Sequence, residues 1–225
     1  MKTPGRVEIL GNWWPCARSL VMATVLLVTG LAWAVETIDE VLAVVDRNPI
    51  LQSDLALAAI VGIGPLVQST DTEGVHDPLD SRVRLELQYL DLIASGALQR
   101  LEIDVGQQLE AMTAHGGGEV RLREALATQG LEWEDVEALA LRVAAVQTWV
   151  KRHLRPRVTV TVRDVEEAYR RVIVEPMRDE GTTPPSLAHV NEDLRRLVSE
   201  EKLNAEIERW LDQCRERHRV TRFVE

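Results

Sequence analysis

The sequence predicts a mainly α-helical domain with one small β element, and three observations carry that prediction. From Val83 onward apolar residues recur at intervals of three and four, the pattern of helices that bury one face. Gly62, Gly116 to Gly118, Gly130, Pro156 and Gly181 fall between those stripes, where helices stop. The runs Val41 to Leu51 and Val220 to Val224 read as short strands, and Val158 to Val160 as a further extended stretch.

Val41 to Val45 reads as a strand, Asp46-Arg47-Asn48-Pro49 as a tight turn, and Ile50-Leu51 as the returning strand. Ser53 is the expected N-cap of a helix through Leu55, Ala58 and Ile60, ended by Gly62, Gly64 and Pro65. The polar stretch from Gln68 to Pro78 reads as an exposed loop. In the next helix Val83, Leu87, Leu90, Ala94, Ala97 and Leu101 trace one stripe. Leu85, Leu92 and Ile93 add a second, so burial on two sides is expected. Asp104 with Gln107 resembles a capping box opening a helix that turns Leu109 and Met112 inward.

Glu119 to Gln129 is a further helix, stopped by Gly130. The longest stripe is Val136, Leu139, Val143, Val146, Val150 and Leu154, with Trp149 beside it, and it ends at Pro156. Val158 to Val160 is extended, and Thr161 with Asp164 caps a helix through Tyr169. Residues 170–185, with Pro176, Gly181, Pro184 and Pro185, read as a linker. The last helix, from about Ala188 to Arg217, carries Leu194, Leu197, Leu203, Ile207, Trp210, Leu211 and Cys214. The tail from Val220 to Val224 can pair with the opening strand and tie the two ends together. No period of 20 to 50 residues repeats, which excludes a solenoid.

The first 34 residues read as an export leader. Lys2, Arg6 and Arg18 precede an apolar run from Leu20 to Leu31, and Ala32-Trp33-Ala34 is a small-x-small cleavage pattern. Cleavage is expected between Ala34 and Val35. The rival is an uncleaved inner-membrane anchor, for which about 16 apolar residues fall short of the roughly 20 a spanning helix needs. The expected location is therefore the periplasm, with no stable membrane insertion after cleavage. Removing the leader takes the formal charge from −10 to about −12. That balance excludes nucleic acid as a partner, since such binding needs clustered Lys and Arg against phosphates. Cys214 alone survives cleavage, so the fold holds without an intramolecular disulfide.

Three stretches, in this order, resemble the SurA-type periplasmic chaperone family. VLAVVDRNPILQSDL, Val41 to Leu55, resembles its opening strand, turn and capped helix. Leu122 to Tyr169, ending in VTVTVRDVEEAY, is similar to its paired helices, glycine break and lead into another capped helix. Leu203 to Phe223 resembles its terminal helix with a tryptophan and trailing strand. The chain departs from the family in one large respect. A parvulin-type prolyl isomerase domain belongs between the capped helix and the terminal helix, and only residues 170–185 stand there. A globular domain needs at least about 50 residues. Asp-Arg-Asn-Pro also replaces the common Asn-Gly turn, and Glu132 stands where a stronger cap is usual. The resemblance implies the N-terminal chaperone module alone, spanning 35–225 and completed by the helix and strand of 186–225.

No catalytic residue, cofactor site or metal site is expected. His115-Gly116-Gly117-Gly118 matches a lipase oxyanion-hole sequence, but no Gly-x-Ser-x-Gly nucleophile elbow accompanies it. His76-Asp77 lacks a third ligand at metal spacing. Glu166-Glu167 and Glu200-Glu201 are neighbours on helices and diverge by about 100°. Trp149 and Trp210 lie on core stripes, whereas Trp133, at a helix start among charges, is the candidate client contact. The expected function is a holding chaperone or assembly factor that takes unfolded or extended segments of envelope proteins, outer-membrane proteins included, in an apolar groove. The alternative is a dedicated structural subunit of one envelope complex.

Overall fold

Residues 39–63 and 77–223 are described by a computed structural model. The leader with its Ala34–Val35 site and most of the 68–78 loop lie outside the described residues. The chain divides after Ile38, and everything described belongs to the unit that follows.

Two strands, β1 (Val41–Val45) and β2 (Asn48–Leu51), form an antiparallel hairpin closed by Asp46 and Arg47. Asp46 takes the left-handed conformation at φ 55°, which short polar side chains tolerate when local hydrogen bonds hold them. Its amide donates to the carbonyl of Arg219 at 2.8 Å. Its carboxylate accepts from the Arg219 amide at 2.8 Å and meets His218 Nδ1 at 2.7 Å. The His218 bond, then the Arg219 amide, hold the Asp46 carboxyl below the usual carboxylate range. This clamp delivers β3 (Val220–Arg222) to the free side of β1, with Val45 opposite Val220 and Ala43 opposite Arg222. The expected pairing of tail and opening strand is therefore present, in the order β2-β1-β3.

Helix α1 (Gln52–Ile60) starts two residues before the position expected from a Ser53 cap. Asp54 Oδ2 reaches back to accept the Leu51 amide at 2.8 Å, which makes Leu51 the cap position. The Ser53 hydroxyl and amide are instead both bonded to the Asp39 carboxylate.

Helix α2 (Pro78–Ala94) opens with Asp77 accepting the Leu79 amide at 3.0 Å and Pro78 in the first turn, a position where the missing proline N–H costs nothing. The sequence stripe suggested continuation to Leu101. The helix stops at Ala94 because Gly96, at φ 65°, closes it. Its amide bonds to Ile93 and that of Ala97 to Leu92, both at 3.0 Å. A 3-10 turn, Leu98–Arg100, follows. Burial on two sides is observed, although Ile93 is exposed. The same helix also buries Arg82, Glu86, Gln88 and Asp91.

Helices α3 (Val105–His115) and α4 (Glu119–Thr128) flank the glycine run, with Asp104 accepting the Gln107 amide at 3.0 Å. Helix α5 (Trp133–Trp149) carries Val136, Leu139, Val143 and Val146 into the core as expected. Its stripe does not run evenly to Leu154. A π turn, Val150–Leu154, and a 3-10 turn, Arg155–Arg157, finish the element. The π turn inserts extra backbone, so Val150 is half-buried while Leu154 returns to the core.

Helix α6 (Val162–Tyr169) has the reciprocal cap read from the sequence. Thr161 N donates to Asp164 Oδ2 at 2.7 Å, and Asp164 N to Thr161 Oγ1 at 3.3 Å. The linker expected at 170–185 requires correction. Helical structure continues through a π turn, Arg170–Val174, and α7 (Glu175–Asp179), ending before Gly181. The cause is the run Val172, Ile173 and Val174, of which Ile173 packs on the α6 core.

Helix α8 (Leu187–Arg217) serves two cores. Leu194 and Val198 pack with Val165 and Ala168 of α6 in a small one. Leu203, Ile207, Trp210, Leu211 and Cys214 join the main one, with the sheet and α1 to α5.

Candidate functional site

Val146 and Val150 lie four residues apart on α5 and its π turn, and Gln147 and Lys151 form the adjacent row. Positions i and i+4 share a helix face, so the two rows make an apolar floor with a polar edge. Ile207 of α8 and Gln88 of α2 close the other side, leaving a groove of about 390 Å³. Arg155 completes the lining and is held by Glu200 at 2.9 Å. Its described walls offer three aliphatic side chains, two amides and two cations, with neither acid nor nucleophile.

A second cavity, of about 330 Å³, opens along the same three helices. Trp149 and Trp210, with ring centres 6.1 Å apart, form its aromatic wall. Trp210 is fixed by its Nε1–H donating to Asp91 Oδ2 at 2.8 Å, and Arg217 approaches Asp91 Oδ1 at 3.3 Å. Trp149 stacks on His153 at 3.8 Å, and its Nε1 is buried without a hydrogen-bond partner. Cys214 is fully buried, and burial, reinforced by the nearby Asp91 charge, pushes its thiol up to about 12. It is a packing group that stays protonated, as the helix stripe implied.

Trp133, the client contact expected from sequence, lines neither cavity. Its ring is half-buried against the main core, its Nε1–H donates to Glu137 at 3.0 Å, and the Arg123 guanidinium covers one face at 4.4 Å. Burial of Trp210 and partial burial of Trp149 agree with their stripe positions. The histidine-glycine run is the turn between α3 and α4, with Gly117 and Gly118 at φ 80° and 99°. Glu200 and Glu201 diverge to separate partners, Arg155 and Arg171. Asp77 caps α2, while His76 lies outside the described residues. Among the described residues no group of three or more His, Cys, Asp or Glu side chains could hold a metal ion, and no helix is long and apolar enough to cross a membrane.

Sequence reasoning missed the groove and the polar cluster beside it. Glu86 Oε2 accepts from Arg82 at 2.9 Å and from Arg142 at 3.1 Å, and Arg82 also reaches Asp54 at 3.4 Å. This network joins α1, α2 and α5, with Glu86 two residues before Gln88 on α2. A usable signal was present: Glu86 and Gln88 interrupt the two apolar stripes of a helix expected to be buried on both sides.

The chain matches no protein-family model, and no curated protein matches it.

Proposed function

We propose that this chain is an exported holding chaperone or assembly factor of the bacterial cell envelope. In this reading it captures extended, unfolded segments of envelope proteins, outer-membrane proteins among them, without isomerase or other catalysis. The groove of Val146, Val150 and Ile207 is the observation that supports it. Its volume suits one or two client side chains, and its edge offers the exposed Gln147 amide to a passing backbone. Client contact is assigned to this groove rather than to Trp133. An apolar patch this small gives a weak complex, and a micromolar one corresponds to about −8 kcal/mol. Weak binding releases clients without ATP, which compartments outside the inner membrane lack. Once the leader is removed, a formal charge of about −12 keeps the unloaded protein from associating with itself.

The test is dilution of a chemically unfolded outer-membrane protein with and without the purified chain, followed by light scattering. Suppression at near-equal molar ratio, indifferent to ATP and weakened several-fold by Val150→Asp, is the expected outcome. A Val150→Thr variant, close to isosteric, controls for damage to the fold. No suppression by the parent protein removes the chaperone reading. It favours the dedicated subunit, which co-purifies with one envelope partner in fixed ratio.

A further inference from the structure

We propose that the cavity beside Trp149 and Trp210 binds the C-terminal carboxylate of a polypeptide segment, an inference that rests on the client-holding reading above. Its walls carry Arg100, Arg157, Arg209 and Arg217 against two acids, Asp91 and Glu206. Arg217 pairs with Asp91 and Arg209 with Glu206. Arg100 donates only to a neutral group, the Ser95 carbonyl at 3.3 Å. Arg157 has no ion-pair partner among the described residues. Two guanidinium groups are thus uncompensated in a chain whose formal charge is −10, a local excess opposite in sign to the whole.

The guanidinium fork matches a carboxylate or phosphate bidentately. What stands beside it decides between ligands. The Trp149 and Trp210 rings and Leu154 supply an apolar wall next to the cations. The ligand therefore carries an anion and an apolar group close together. A terminal residue has both on one carbon atom. An internal Asp or Glu would have to bring chain in and out of a cavity of about 330 Å³, which lies near the small end of ligand pockets. A phosphate group has no apolar part to use the indole wall.

The purified chain is titrated with the tripeptide Ala-Ala-Phe as free acid and as C-terminal amide, read by tryptophan fluorescence and calorimetry. The free acid should bind at least about tenfold more tightly. Arg157→Glu and Arg100→Glu should each erase most of that preference, whereas Arg195→Glu, which lines neither cavity, should leave it. All three positions are exposed, where substitutions are well tolerated, and circular dichroism confirms the fold. Equal binding of acid and amide overturns the proposal, as does a preference that survives both arginine reversals. So does inorganic phosphate binding as tightly as the tripeptide acid, which would mark a plain anion site. Aggregation suppression with no acid preference removes this proposal alone. An acid preference without suppression removes the chaperone reading and leaves a chain-end site.

Discussion

Glu86 is 2% exposed, and its Oε2 is shared by two guanidinium groups, one of them on Arg82, itself 8% exposed. Charges this deep are tolerated only when paired, and removing one partner strands the other. Glu86→Ala leaves Arg82 with Asp54 at 3.4 Å as its remaining ion-pair partner. The expected loss is about 3–5 kcal/mol of unfolding free energy in urea. Glu86→Gln keeps an acceptor and should cost clearly less. A loss below about 1 kcal/mol for Glu86→Ala would mean that the network contributes little to stability. In the sequence only Glu86, interrupting a helix expected to be buried on both sides, hints at this cluster. Arg82 and Asp91 look like ordinary solvated helix positions until α1, α5 and α8 are brought against them. Trp133 is partly exposed, as its charged neighbours implied, with Arg123 over one face and its Nε1–H on Glu137.

Element ends were legible wherever a cap or a left-handed glycine sets them locally. Helix α4 closes through Gly130 at φ 68°, whose amide bonds to Ala127, while the Leu131 amide bonds to Leu126 at 3.0 Å. A Cβ at Gly130 would meet nothing within 4 Å, so Gly130→Ala tests backbone strain free of packing. The expected cost is about 1 kcal/mol, read from chemical denaturation. A neutral or stabilising result would show that the turn relaxes out of the left-handed region. The two π turns were not legible, because counting apolar residues at three and four presumes uniform α geometry. Leu154 fits that count only by coincidence of the extra residue, and Val150 pays with partial exposure. The groove inherits this irregularity, since Val150 and Lys151 stand at the start of the first π turn.

Across the whole molecule, α8 belongs to two cores of unequal size. Its first half, with Leu194 and Val198, relies on α6 and the residues flanking it, Val160 and Ile173, while Leu203 to Cys214 contact the sheet and several helices. Opening free energy follows the burial available to each part. Amides of residues 190–200 should therefore exchange at least about tenfold faster than those of 203–214 in native-state hydrogen exchange. Equal protection along the helix would mean that the two cores open as one unit. The fold class and nearly all helix positions were readable from periodicity. The division of α8 between cores was not, because its stripe is continuous and only the surrounding elements change. The cavities lay still further from view, since each is assembled from α2, α5 and α8.

The clamp on Asp46 sets a timetable. Asp46 and His218 stand 172 positions apart, so β1, the middle strand, keeps one edge open until nearly all of the described chain has emerged. A hairpin alone is marginal in water, and closing so long a loop is entropically unfavourable until other contacts reward it. Partly made chains thus lack the final latch and stay threadable. Under the export reading proposed above, the last-made strand acts as a timer that delays locking until passage is almost over.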